Sequence, residues 1–318
     1  MELVPVGAGL HRLHRWAREW GRVALRLLGI GLMAALVAGC GHLFLLPDDE
    51  LVLNPGTLGL AYEEVRIDDG KGPVLKGWYL PAESDRVAGS VLFLHGNAQN
   101  VSNHLLSVDW LPERGFNVLL IDYRGYGASE GVATLSGAAT DARRALAYLA
   151  EREDERIPLA VLGQSLGGGL APYAVSGSPY RSRVEAVILD SAFAGFRRIA
   201  REKLDAFWLT WPLQVPLSWT VSDAYSGLRH VADLHPIPVL VIHGKGDRVV
   251  PAEHGRSLFA AAREPKALWL VPEAGHIQAL RRDEIRDRFA QYLWDRLGGP
   301  GSQPPASPDG AGFRIDIR

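Results

Sequence analysis

The sequence predicts an α/β protein: a mostly parallel, twisted sheet with helices on both faces and a short helical cap. Three observations carry that prediction. Six apolar runs between residues 89 and 276 are too continuous for strands wetted on one side, and suit strands covered on both faces of a parallel sheet. Helical stretches separate these runs, and strand alternating with helix is the order that builds such a layered sheet. Hydrophobic residues make up 47% of the 318, enough for a sizeable core.

In chain order, "YEEVRI" (Tyr62 to Ile67) and "VLKGWYL" (Val74 to Leu80) read as two strands joined by the turn-forming "DDGKG", and so as a hairpin. The parallel runs follow: "GSVLFLHG", "FNVLLIDYRG", "IPLAVLGQ", "VEAVILDSAF", "IPVLVIHGKGD" and "KALWLVPEAGH". Among the intervening helices, "TLSGAATDARRALAYLAER" is the clearest, with Ala138, Ala142, Ala145, Leu146 and Leu149 at helical spacing. The chain divides into residues 1–46, a signal peptide or membrane anchor; 47–297, the folded domain, with its cap at about 191–235; and 298–318, a Gly-, Pro- and Ser-rich tail expected to be mobile.

The first 46 residues read as an address. Arg12, Arg15, Arg18, Arg22 and Arg26 recur three or four apart, and the uncharged run "LLGIGLMAALVAGCGHLFLL" follows from Leu27 to Leu46. Basic residues, an apolar stretch and then small residues form the layout of a secretory signal. The string "LVAGC" resembles a bacterial lipobox and makes Cys40 the candidate lipidation site. The alternative is a retained single-span anchor, since about 20 apolar residues reach across a bilayer. Both readings export the domain and associate it with a membrane. Cys40 is the one cysteine, which excludes an internal disulfide and any multi-cysteine metal site. With 34 basic and 36 acidic residues and no basic stripe, the chain has no footprint for nucleic acid. No metal or other cofactor is expected.

Two serines sit in a G-x-S-x-G pattern, and context separates them. Ser165 follows an apolar strand directly and precedes "LGGGLAPYAV", small and apolar residues able to open a helix against the sheet. Strand, sharp turn and helix make a nucleophile elbow, in which Gly163 and Gly167 leave room for the bend. Ser129, in "DYRGYGASEG", has neither a strand ending before it nor a helix opening after it. A serine hydroxyl needs a base, and the base needs an orienting acid, in the order Ser, Asp or Glu, His at the carboxyl ends of strands. Asp247 in "KGDRVVP" and His276 in "PEAGH" meet that order. Asp190, closing "VEAVILD", is the rival acid, and His95 and His243 are expected to brace turns. The oxyanion donors are expected to be the amides of Leu166, after the nucleophile, and Asn97 in "LFLHGNAQN", with Ala98 as a substitute. Tyr123 and Arg124 belong to a rim loop whose residues are expected mainly to pack.

Taken in order, "HGNAQN", "DYRGYGASEG", "GQSLGG", "LDSAF", "IPVLVIHGKGDRVVP" and "PEAGH" resemble the α/β-hydrolase superfamily, most closely its BEM46-like and serine aminopeptidase S33-type members. The resemblance covers roughly residues 47 to 297. It implies the α/β-hydrolase fold, places the family's triad on Ser165, Asp247 and His276, and brings the amino-terminal anchor that members often carry. Lys245 departs from the Asp or Glu many relatives have ahead of the loop that bears the acid. The expected activity is that of a serine hydrolase acting on carboxylic esters through an acyl-enzyme. The expected partner is a small-molecule ester or lipid-like substrate. In the cap, Phe207, Trp208, Trp211, Leu213, Leu217 and Trp219 suggest ordinary packing, an acyl-binding wall or a membrane-facing lid. A serine peptidase or a non-catalytic, membrane-anchored binding module are the alternatives. Dehalogenase and epoxide hydrolase chemistries need a carboxylate where Ser165 stands.

Overall fold

Each apolar run becomes a strand because its successive side chains point to opposite faces, and both faces are covered. The computed structural model describes residues 45–84, 86–206, 208, 210–298 and 316–317. The strands are β1 (Glu63–Ile67), β2 (Leu75–Leu80), β3 (Gly89–Leu94), β4 (Phe116–Ile121), β5 (Leu159–Gln164), β6 (Val184–Asp190), β7 (Val239–Gly244) and β8 (Lys266–Val271). They form one sheet in the order β8-β7-β6-β5-β3-β4-β2-β1, and the two-residue strand Asp316–Ile317 pairs antiparallel with β8. The six strands from β3 to β8 pair in parallel; β2 joins β4 antiparallel and forms a hairpin with β1.

Alternation sorts the core into two layers. On one face Leu92, Leu94, Val161, Val187 and Val241 pack under α1 (Leu135–Arg152), α2 (Leu166–Ser176) and α4 (Ala252–Ala261). On the other, Val91, Phe93, Leu162, Ile188 and Ile242 pack against α5 (Asp283–Leu297), which contributes Ile285, Phe289, Leu293 and Trp294. The helix α1 starts where predicted because the Thr134 hydroxyl oxygen accepts the Gly137 amide at 3.0 Å, satisfying one of the orphan donors of its first turn.

The connectivity fixes where a site can form. The chain leaves β3 toward β4 on one side and β5 lies on the other, so a crevice opens beyond the carboxyl ends of β3 and β5. Helix α3 (Phe196–Asp205), a 3-10 turn at Trp211–Leu213 and a short helix at Gln214–Ser218 lie between β6 and β7. The chain enters beside the same crevice, where Leu46–Pro47 pair in parallel with Ala98–Gln99. Cys40 and the tail from residue 299 to 315 lie outside the described residues, as do residues 1–44 as a whole. Among the described residues no helix is long and apolar enough to cross a membrane, and no cluster of His, Cys, Asp and Glu is arranged to hold a metal.

Candidate active site

Ser165 sits in the bend between β5 and α2 with φ 53° and ψ −106°, outside the regions an L-residue ordinarily occupies. Two glycines permit the bend. A Cβ at Gly163 would stand 2.4 Å from the Gly167 carbonyl oxygen, and one at Gly167 would stand 2.0 Å from that of Leu94. Strain is concentrated around this point. The five non-glycine residues with positive φ among those described are Gln99, Ser165, Ser191, Glu273 and Ile277, all in the segments beyond the carboxyl ends of β3, β5, β6 and β8. Such conformations persist only where surrounding contacts enforce them, and they gather at functional sites.

The fold brings three distant side chains together there. Ser165 Oγ lies 3.1 Å from Nε2 of His276, and Nδ1 of His276 lies 2.8 Å from Oδ2 of Asp247. A carboxylate only accepts, so the imidazole proton belongs on Nδ1, which leaves a lone pair on Nε2 to accept the Ser165 hydroxyl. The other oxygen of Asp247, Oδ1, accepts the amides of Val249 and Val250, each at 2.8 Å. Burial opposes the charge on Asp247, but hydrogen bonding from His243 and His276 and the Val250 amide outweighs it and holds the carboxyl well below the usual carboxylate range. Asp247 is therefore ionised at neutral pH, and a cation formed on His276 would face a fixed negative charge.

Asp190 is engaged elsewhere. Its carboxylate accepts Gln164 Nε2 at 3.0 Å and the Ser191 hydroxyl at 3.2 Å, and burial raises its pKa. The hydroxyl oxygen of Ser191 accepts the amide of Ile277, next to His276, at 3.1 Å. Gln164 Oε1 in turn meets His104 Nδ1 at 3.1 Å and Ser107 Oγ at 3.3 Å. A buried polar network thus underlies the elbow and ties it to the loop that carries His276. Sequence reasoning missed His104, Gln164 and Ser191 in this role, because each acts through partners from 26 to 86 residues away.

Leu166 opens α2, so its amide has no intrahelical acceptor by position, and both Leu166 and Asn97 line the cavity at Ser165. Tyr126, rather than Arg124, reaches the Asn97 loop: its hydroxyl donates to the Asn97 carbonyl at 3.0 Å. Arg124 turns away to Asp141, pairing at 2.9 and 2.7 Å, and the Tyr123 hydroxyl donates to the His95 carbonyl at 3.2 Å. Ser129 is a brace, accepting the Lys76 amide and donating to the Asp122 carbonyl, both at 2.8 Å. His243 Nε2 donates to the Val250 carbonyl at 2.9 Å and stiffens the loop that bears Asp247. Buried His95 has its Nδ1 on the Gly96 carbonyl, 2.7 Å away.

A cavity of about 370 Å³ opens at Ser165 and is walled mainly by apolar side chains, among them Phe193, Phe196, Ile199, Val221 and Tyr225. This corrects the expectation of an acyl-binding wall from the aromatic cap stretch: Trp208, Trp211, Leu213 and Trp219 do not line the cavity and face solvent. The side chain of Phe207 lies outside the described residues. The cap is held to the body by His254, buried on α4, which accepts the Ala194 amide at Nδ1 and donates from Nε2 to Glu202 on α3 at 2.8 Å.

The topology, the elbow and the site define the class: the chain belongs to the α/β-hydrolase superfamily, among its S33-type hydrolases. Residues 85–226 match the family described as serine aminopeptidase, S33. The uncharacterized protein YfhR of Escherichia coli strain K12 is 35% identical over 263 residues, covering 80% of this chain and 88% of that protein. Lysophosphatidylserine lipase ABHD12 of Danio rerio is 31% identical over 191 residues, 56% of this chain and 48% of the relative. Among solved structures, the esterase Pf2001 of Pyrococcus furiosus superposes with a TM-score of 0.65 at 22% identity, covering 80% of this chain and 99% of the esterase; this likeness is one of fold.

Proposed function

We propose that the chain is a serine hydrolase that cleaves carboxylic esters with hydrophobic acyl chains through an acyl-enzyme. The observation that carries this reading is Ser165 Oγ at 3.1 Å from an imidazole oriented by buried Asp247, at the mouth of an apolar cavity. His276 takes the Ser165 proton as Oγ attacks the ester carbonyl, and Asp247 stabilises the imidazolium that results. The amides of Asn97 and Leu166 receive the oxyanion. His276 then gives its proton to the departing alcohol, and water repeats the sequence on the acyl group to regenerate Ser165.

A peptidase would use the same three residues, and the S33 family description is what favours it. An aminopeptidase must hold a substrate ammonium, yet among the described residues no carboxylate lines the cavity and the one charged side chain there is Lys203. Apolar walls without an acidic group suit an acyl chain better. The relative named as a lysophosphatidylserine lipase supports a lipid-like ester. The same proposal puts the domain at a membrane as an exported lipoprotein anchored through Cys40, or through residues 27–46 retained as a span. Mass spectrometry of the mature amino terminus separates these two forms.

The experiment is fluorophosphonate labelling of the wild type and Ser165→Ala, followed by hydrolysis of esters of graded chain length. The reading expects labelling lost with Ser165 and rates rising toward medium-chain esters. Undiminished labelling of Ser165→Ala overturns the nucleophile; faster release of amino-terminal residues from peptides than of acyl groups from esters overturns the substrate class.

A further inference from the structure

Residues 206 to 222 contain no charged residue in a chain that is 22% charged. A stretch of that kind is expected in a core, but here it is largely on the surface. Trp208 is 78% exposed, Trp219 68%, Trp211 58% and Leu213 44%. These side chains are not the cavity wall. They lie on the elements that follow α3, the helix whose Phe196, Ile199 and Ala200 roof the cavity over Ser165.

Two further observations say what covers this surface. The ten residues of α3 carry four basic side chains, Arg197, Arg198, Arg201 and Lys203, all exposed, against two acidic ones. Exposed tryptophans beside arginine and lysine are the composition of a lipid headgroup boundary, where indole rings bury their apolar body and cations meet anionic headgroups. Leu45 lines the same cavity, and in the sequence it stands at the end of the uncharged run Leu27 to Leu46.

We propose that the cap surface formed by Trp208, Trp211, Leu213 and Trp219 docks on the headgroup layer of an anionic bilayer, facing the cavity mouth toward the lipid from which substrate is drawn. This contact is separate from any anchoring by residues 27–46 and does not depend on hydrolysis.

The test uses the full chain bound to vesicles of phosphatidylcholine and phosphatidylglycerol whose acyl chains carry bromine, which quenches only indoles at or below the headgroups. The chain has nine tryptophans, three of them on the cap surface. Docked indoles belong to the quenched emission; undocked ones add unquenched light. Replacing Trp208→Ser, Trp211→Ser and Trp219→Ser together is expected to lower the lipid-quenched share of emission. A share that rises or stays level overturns the proposal, and is what results if a second copy of the chain or residues 1–44 cover the surface instead. Fluorophosphonate labelling at the wild-type rate shows that the triple variant is folded; should it fail, Trp208→Ser alone gives the same test of sign.

Discussion

At the scale of single residues, position in the hydrogen-bond network decides what each polar side chain can do. Asp247 and Asp190 are both buried aspartates at the carboxyl ends of neighbouring strands, yet one orients His276 and the other anchors Gln164 and Ser191. Under the proposed mechanism, Asp247→Asn presents the wrong tautomer to Ser165, and kcat is expected to fall by about 10⁴ with the fold retained, measured by steady-state kinetics beside circular dichroism. Ser129 makes the opposite prediction. Its hydroxyl satisfies a part-buried amide and a buried carbonyl, so Ser129→Ala is expected to cost about 1–3 kcal/mol of stability in denaturant unfolding and to leave turnover per folded molecule unchanged.

At the scale of elements, the elbow works because β5 and α2 are held from below and the His276 loop is held from the side. Ser191 links the two, since its hydroxyl accepts the Ile277 amide while its neighbour Asp190 accepts Gln164 and, through its carbonyl, the Ser165 amide at 2.9 Å. Removing the hydroxyl frees the loop that carries His276 without touching substrate. Ser191→Ala is expected to lower kcat about tenfold, the equivalent of one ordinary hydrogen bond's worth of positioning, with KM nearly constant. A fall in stability with no change in kcat would mark Ser191 as a packing residue only.

At the scale of the whole molecule, buried ionisable groups give stability its dependence on pH. His95 and Asp122 lie 3.6 Å apart with almost no exposure. Burial pushes Asp122 up to about 7 and His95 down to about 3. Unfolded, they titrate near about 3.9 and 6.5. Folded Asp122 thus holds its proton more tightly than the unfolded chain does, and its contribution is lost as pH rises from about 4 to about 7. Folded His95 holds its proton less tightly, so its contribution is lost as pH falls from about 6.5 to about 3. The two slopes oppose each other between about pH 4 and 6.5. Asp122→Asn leaves the His95 slope without its opposing partner, and its unfolding free energy is expected to rise with pH across that window more steeply than that of the wild type, by up to about 1.4 kcal/mol per unit; urea titrations at several pH values measure the difference.

How much of this was legible in the sequence follows from the range of the forces involved. The alternation of strand and helix, the hairpin and the bend at Ser165 rest on local rules of periodicity and glycine placement, and residues within a short window state them. The sequence also put Ser165, Asp247 and His276 forward in a workable order, because each follows an apolar run. It did not say that Asp190 would turn to Gln164 or that Arg124 would pair with Asp141, and it left open whether the cap tryptophans would pack, line the cavity or face outward. Those outcomes depend on which strands lie side by side and on which side of a loop has room, quantities no local window contains. Composition and period determined the layers and the candidates; packing across the sheet alone decided which buried acid meets which base, since a charge in a low-dielectric interior takes whatever partner the completed fold holds within reach.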